Sequence, residues 1–519
     1  MIPRRQAGQA LVPVLFVLMI LTALAVTMAA STKREIKAAS NNLVDAQQYL
    51  IAKGAMNYAA AELQQATGNG VTVPQLTQAP DTDANGWTSL GDGWYKLDLV
   101  DTGSRININT VDAATLNKLP AFQNDPNLAP SLIDWRDADE TVTTVPQGGT
   151  GAESDYYQGL PVPYSAKNGP FDTVDELLLV QGFSPQILYG ATGQPGVDLT
   201  DTTSTPGTGP TGSRATRSRQ AAGGTGGAQQ APAIDLSGST TPLAELFTTY
   251  SKEANYAEDG TKRVNVRTAN ANALTTMMTD AGVSSGQARQ IVNQFTRAAQ
   301  GQTTTQQQQV TSLADIVMGK RNPAGITPLV TPWPQTVLAM IADKLTVSDD
   351  DFLNGRININ TAPQEVLATI PGMDQQLLSL IQSQQQAGGF TSLNDLFQGA
   401  TFNQQQLGVL YGRVCIRSSV YLARVRVRMP GSPRVYAVQA LIELPSPAAN
   451  QTGQTGAAGQ TTPGLQTGGA AASTTSTAAK ILQWREVPRK PGWSTWTSVI
   501  NYANGGAQPL TTGGMLGSP

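Results

Sequence analysis

Residues 10–30 read ALVPVLFVLMILTALAVTMAA, 21 residues without one charged side chain. As a helix rising about 1.5 Å per residue the stretch is roughly 32 Å long, which matches a hydrocarbon core of about 30 Å. A secretory signal peptide also pairs a basic start with an apolar core, but that core is only about 7–15 residues long. Working outward, Arg4 and Arg5 stand in a short basic leader that ends in Gly8, just before Gln9. On the other side, residues 31–63 contain no proline, and Ile36, Leu43 and Leu50 recur seven apart, with Ala39, Ala46 and Tyr58 near the same face. The spacing predicts that the membrane helix continues as an amphipathic stem, with Gly54 as its weak point.

The chain has 519 residues, enough for two or three domains. Parts of it lack the apolar content to fold. Residues 201–231 are nearly all Thr, Ser, Gly, Pro, Gln and Arg, and 445–479 are Gly, Gln, Thr, Ala and Ser; neither buries enough apolar surface to offset ordering entropy. The formal net charge is −3, from 34 basic and 37 acidic residues, and lacks the basic excess of a nucleic-acid binder. There is no histidine, which removes Ser-His and Cys-His nucleophile pairs, the HExxH zinc site and any histidine pH switch. Cys415 is the single cysteine, set among apolar residues, and reads as a buried small side chain.

A motif recurs three times: RININT at 105–110, RVNVRT at 263–268 and RININT at 356–361. Apolar and polar residues alternate as in a half-buried strand, and a helical run follows each copy. After the third copy, APQEVLATIPGMDQQLLSLI and then GGFTSLNDLF predict a helix, a Pro-Gly hairpin and further helices, a helix-hairpin-helix-like unit. Such hairpins often hold nucleic-acid phosphate on glycine amides. Here Gly372, Met373 and Asp374 put a carboxylate where phosphate would approach, and neither flanking helix carries Lys or Arg. A structural hairpin is therefore the expectation.

The basic leader ending in glycine, then an apolar helix running into an amphipathic one, resembles the type IV pilin and type II secretion pseudopilin family. That resemblance implies cleavage by a prepilin peptidase between Gly8 and Gln9. Most members carry glutamate at the fifth mature position, which here is Pro13; a lone carboxylate in lipid is expensive unless paired, and proline is tolerable so near a helix start. The class that ordinarily lacks this acid is pseudopilin K of the general secretion pathway (GspK). Residues 132–190, with LIDWRDADE, GAESDYY and PYSAKNGPFDTVDELLLVQGFSPQILYG, resemble that family closely.

Within this block Asp134, Asp137, Asp139, Glu140, Glu153 and Asp155 crowd six carboxylates, with Arg136 as the one balancing cation. They would repel one another unless a cation intervened; calcium, taking about 6–8 oxygen ligands at about 2.3–2.6 Å, suits them, although the spacing is not that of an EF-hand loop. A solvated acidic loop is the alternative. The family resemblance implies calcium, with Asp137, Asp139 and Glu153 as first choices. Lys167, Asn168, Asp175 and Glu176 have a local explanation, with Asp172 or Thr173 capping a helix over VDELLLVQ and Gly182 ending it.

The expected fold is α+β: a pilin-like long N-terminal helix plus an antiparallel sheet, with a large α-helical insertion containing helix-hairpin-helix-like units. The divisions are leader 1–8, transmembrane helix 9–30, stem 31–66, first part of the sheet 85–109, helical insertion with acidic loop 110–200, linker 201–240 and second helical insertion 241–410. The second part of the sheet is 411–444 and 480–488, with a low-complexity loop 445–479 between them and a tail 489–519. Strands are expected over 94–100, 420–429, 434–444 and 480–487, the second with Arg424, Arg426 and Arg428 on one face.

The resemblance implies a non-enzymatic minor pseudopilin at the tip of the secretion pseudopilus, anchored once in the bacterial inner membrane with its head in the periplasm. Its partners would be the minor pseudopilins I and J (GspI and GspJ), met through Ile36, Leu43 and Leu50 in a coiled-coil-like contact. No nucleic-acid partner is expected. The rival reading is a membrane-anchored helix-hairpin-helix protein of DNA binding or uptake.

Overall fold

The computed structural model describes residues 11–68, 81–146, 148–190, 241–297, 304–321, 328–398, 402–432, 434–446, 478–487 and 500–501. The leader, including Gly8 and Gln9, the 201–240 linker, most of the 445–479 loop and most of the tail lie outside these residues. One unbroken helix runs Leu11–Gly68, about 87 Å at 1.5 Å per residue. The helix passes through residue 30 and Gly54 without a break, as the proline-free run after Ser31 leads one to expect. Every described side chain from Val14 to Ser40 is exposed. Beyond that, Ile51, Ala52, Ala55, Met56, Ala59 and Leu63 are buried against the sheet. Gly54 sits where the sheet edge comes close, since a Cβ there would lie 3.0 Å from Leu90 Cδ2.

The sheet runs in the order Thr88–Leu90, Gly93–Asp101, Val420–Arg428, Val435–Glu443, Lys480–Glu486 and Ile500–Asn501, all antiparallel. The four long strands fall where alternation places them. Tyr421, Ala423, Val425 and Val427 face the stem, as period two requires. The arginine face is not a free basic stripe. Arg424 pairs with Glu245 at 3.2 Å, Arg426 with Asp98 at 3.4 Å and Arg428 with Asp83 at 3.6 Å. Arg428 also lies over the Trp87 ring at 4.4 Å.

Asp101 and Tyr421 are direct partners in this ladder, so the chain leaves the sheet after one central strand and returns to its neighbour. Everything between is an inserted head built from three copies of one unit. Each copy opens on the repeated motif as a two-residue strand, Ile106–Asn107, Val264–Asn265 or Ile357–Asn358. Each strand pairs in parallel with a later one, Phe247–Thr248, Leu345–Thr346 or Val414–Cys415. The first RININ copy therefore belongs to the head, not to the sheet as the 85–109 division had it.

The first asparagine turns strand into helix. Its side-chain oxygen accepts the N–H two residues on: Asn107 from Asn109 (2.9 Å), Asn265 from Arg267 (2.9 Å) and Asn358 from Asn360 (3.0 Å). Its carbonyl accepts the N–H groups three and four residues on. This is an Asx turn, for which asparagine is suited because its short side chain mimics a backbone turn.

The middle unit is nested, its ends meeting where Lys252–Ala254 pairs antiparallel with Phe352–Asn354. Its segment Ala314–Met318 packs on Gln404–Leu410 of the third unit, and its Gln335–Ile341 packs on Leu393–Phe397. The first unit closes at Phe247–Thr248, beyond the linker. The expected split into insertions 110–200 and 241–410 gives way to one apolar core running from Ile106 to Ile416. Cys415 is buried in the last of the parallel pairs.

Head and sheet are joined at Asp101, whose carboxylate accepts from Gly103 N (2.7 Å), Asn358 Nδ2 (2.8 Å) and Thr361 Oγ1 (2.6 Å). Burial pushes this carboxyl above its ordinary value, against the pull of those hydrogen bonds. Asn358→Ala removes one of these donors and the turn of the third motif. It should destabilise the protein by about 2–3 kcal/mol, read as a fall in urea midpoint without a change in slope.

Candidate cation site

The helix Leu128–Arg136 ends at Asp137, whose N–H still bonds Ile133 O at 3.0 Å. Residues 138–152 then loop back to Glu153, which starts the short helix Ser154–Gln158. The loop brings Asp137, Asp139 and Glu153 together, with one carboxylate oxygen from each within 4.8 Å of the others. Glu153 is only 3% exposed. Both its carboxylate oxygens, and Oδ1 of Asp137, are buried without a hydrogen-bond partner.

Such an arrangement is costly without a counter-charge. Burial, and then the charges of Asp134, Asp137, Glu140 and Asp139, push the Glu153 carboxyl up to about 7. Burial followed by Asp139 and Asp134 also raises Asp137. Arg136 does not answer them with hydrogen bonds, since its guanidinium donates to Ile108 O and Val111 O of the first motif. An oxygen-only donor set with several like charges suits a hard cation such as calcium; histidine is absent and Cys415 lies in another unit, so soft-metal chemistry has no ligands here.

The other three acids have different places. Asp134 is fully buried and accepts Thr143 N at 3.0 and 3.2 Å. Gly151 is required beside it, because a Cβ there would come within 2.1 Å of Asp134 Oδ2. Glu140 accepts Ser154 N (3.3 Å), Ser154 Oγ (3.1 Å) and Asn168 Nδ2 (2.7 Å). Asp155 is exposed in the first turn of its helix and stands outside the convergent group.

Asn168, for which the sequence suggested only a local role, instead reaches across to the acidic loop. It is the one described non-glycine residue with positive φ, at 48°, and its Nδ2 reaches both Glu140 and Asp139 O (3.4 Å). Its Oδ1 is buried without a partner. The only hint in the sequence is the Lys-Asn-Gly turn, since asparagine tolerates left-handed backbone. Lys167 has the local role expected of it, pairing with Asp172 at 2.7 Å and Glu176 at 2.9 Å. The VDELLLVQ segment forms a 3-10 turn, Val174–Leu179, and Thr173 makes no side-chain cap. Glu176 instead accepts Asp172 N at 3.0 Å.

Two further regions hold residues that the sequence singled out. Ile36, Leu43 and Leu50 are 65%, 61% and 63% exposed on the stem. In the third unit, Gln364–Ala368 and Gln375–Gln386 flank a turn at Gly372, and Asp374 caps the second helix by accepting Leu377 N at 2.7 Å. A carboxylate therefore occupies the helix end, and Lys118 and Arg413 are spent on the carbonyls of Ile370 and Pro371. This arrangement does not favour a phosphate.

Comparison with known proteins gives two family matches. Residues 105–190 match the first-domain model of type II secretion system protein K, and residues 357–412 match a second model of the same protein. They fall on the first and third units and leave the middle unit unmatched. Among solved structures, the GspK-GspI-GspJ complex from the enterotoxigenic Escherichia coli type 2 secretion system matches at 12% identity and a TM-score of 0.40, covering 86% of this chain and 98% of that one. No curated protein matches the sequence.

Removing one buried like charge relieves the cluster when no cation is bound. In chelator at a pH well above 7, Glu153→Gln should raise stability by on the order of 3 kcal/mol, from a carboxyl displaced from 4.5 to about 7 at about 1.4 kcal/mol per unit. A thermal melt that falls instead would contradict the crowding described above.

Proposed function

We propose, from the two stretches that match models of type II secretion system protein K, that the chain is a K-type minor pseudopilin that caps the periplasmic tip of the pseudopilus and acts there by assembly, not catalysis. Prepilin peptidase would release the leader after Gly8. The apolar part of the stem, whose candidate span starts at Val14 with a mean hydropathy of 2.4 in its most apolar window, would hold the protein in the inner membrane until assembly. Pro13 stands in place of the usual acid, so the subunit has no need of an amine from a neighbour above it. Nothing need be added past the head.

The observation that carries this reading is the stem's division into two faces. One is buried against the sheet, and the other presents Ile36, Leu43 and Leu50 in heptad spacing, more than half exposed among the described residues. The minor pseudopilins I and J are the proposed occupants of that second face. Calcium is the proposed ion at Asp137, Asp139 and Glu153, with Asn168 Oδ1 available as a further oxygen. Bound there, it would supply the missing counter-charge and fix the 138–153 loop to the helix before it.

Two experiments test this reading. Leu43→Asp combined with Leu50→Asp should abolish co-purification with the I and J minor pseudopilins of the same system while leaving the head's melt unchanged; retained binding refutes the stem contact. For the ion, stripping calcium with EDTA should lower the melting temperature and adding it back should restore it. Glu153→Gln should lose that gain, and an unchanged melt with no metal detected would remove the site.

A further inference from the structure

The three units of the head share one hydrogen-bonding scheme, broken in a single place. In the first unit Asn109 Nδ2 donates to Phe171 O (3.0 Å) and Thr249 O (2.9 Å), and its Oδ1 accepts Phe171 N (2.7 Å). In the third unit Asn360 repeats this clasp with Phe390 O (2.9 Å), Ile416 O (3.1 Å) and Phe390 N (2.7 Å). One side chain thereby ties together the motif strand, the start of the segment that follows the helices, and the end of the closing strand.

In the middle unit the corresponding residue is Arg267, which is exposed. Its long cationic side chain cannot reproduce an amide that both donates and accepts. Val310, the counterpart of Phe171 and Phe390, donates its N–H to Gln307 O within its own turn, at 3.3 Å. A cavity of about 340 Å³ lies here, lined by Asn265, Arg267, Thr268, Gln308, Val347 and neighbouring residues.

The ends of the same unit are firmly held. Arg263, with no exposed side-chain surface, pairs with Glu253 at 2.7 Å and Asp343 at 2.9 Å. Arg356 pairs with Glu253 at 3.0 Å and Arg417 with Asp343 at 3.0 Å. A unit pinned at its base but lacking the asparagine clasp at its far edge, where single bonds from Gln307 Nε2 to Ala269 O (2.7 Å) and from Gln404 Nε2 to Val317 O (2.7 Å) hold instead, has a direction in which to give.

We propose that the middle unit is an opening element of the head, in which residues 310–318 lift away from Gln404–Leu410 while the paired ends stay in place. The closed position is a cover over an apolar helix face: Leu407 and Leu410 are 1% and 0% exposed beneath it. Met318 lies so close over Gly408 that a Cβ there would meet its side chain at 2.4 Å. Opening exposes this face without unfolding the sheet or the first unit, and it does not depend on where the chain sits in a filament.

Hydrogen exchange followed by mass spectrometry on the full chain in detergent micelles tests this. After correction for intrinsic rates, amides in 313–318 should exchange about tenfold or more faster than those in 393–397, the corresponding stretch of the third unit. Arg267→Asn should slow exchange over 313–318 by about tenfold, the effect of about one net hydrogen bond regained. Asn360→Arg should speed exchange over 393–397 by a similar factor. Equal protection of the two segments in the native chain overturns the proposal, as does an Arg267→Asn protein that folds but exchanges unchanged. If Arg267→Asn does not fold, the native comparison and Asn360→Arg decide it.

Discussion

The chain leaves the sheet at Asp101 and must come back at Val420, because residues 94–101 and 421–428 are neighbouring strands in unbroken antiparallel register. A head of some three hundred residues can be suspended between two adjacent strands only if its own ends lie side by side. The parallel pairs meet that condition repeatedly. Each unit begins and ends in two short strands that lie together, so each returns the chain to where it started. Nesting the middle unit in the hairpin of 252–254 and 352–354 applies the same condition a second time. The buried part of the tie between head and sheet is centred on the Asp101 carboxylate and the donors of the third motif, and ion pairs from Arg424 to Glu245 and from Lys252 to Glu443 add to it nearer the surface.

Features governed by local periodicity could be read directly from the residues. The stem follows from an uninterrupted helical pattern, and the long strands from alternation such as Val425, Val427 and Met429 against three arginines. The turn after each motif follows from asparagine. Long-range pairings were not legible. Two residues such as Phe247 and Thr248 carry too little pattern to announce a strand, and their partner Ile106–Asn107 lies some 140 residues away across the linker. The pairing of Arg424 with Glu245 was hidden for the same reason: the alternation places arginine on the outer face but cannot say that the head folds back over it.

The acidic block divides in the same way. Counting carboxylates gave six candidates, but the fold sorts them by what each already holds. Asp134 and Glu140 take main-chain and side-chain donors and so shape the loop, while Asp155 stays in solvent. Asp137, Asp139 and Glu153 are left facing one another, with both Glu153 oxygens and Oδ1 of Asp137 unpartnered while Asp139 Oδ1 accepts Thr141 N at 2.8 Å. Asn168 joins them only because the chain crosses back in left-handed backbone, which no composition or spacing rule conveys.

The stem poses the opposite problem, a helix with too little to hold it. From Val14 to Ser40 none of its described side chains is covered by the rest of the chain, and isolated helices of a dozen or so residues are marginal in water. A membrane would account for the apolar run to residue 30, which is long and apolar enough to cross one, since a helix there satisfies its own backbone where water cannot. It does not account for residues 31–43, which carry Lys33, Arg34, Glu35 and Lys37 and come before the first buried stem residue, Gln48. This interval has Ile36 and Leu43 on one side and no tertiary support of its own. A helix bundled against neighbours through that stripe, as proposed above, would gain the support that the described residues do not give it, and the stretch that gives the stem its reach would then be the one that needs partners.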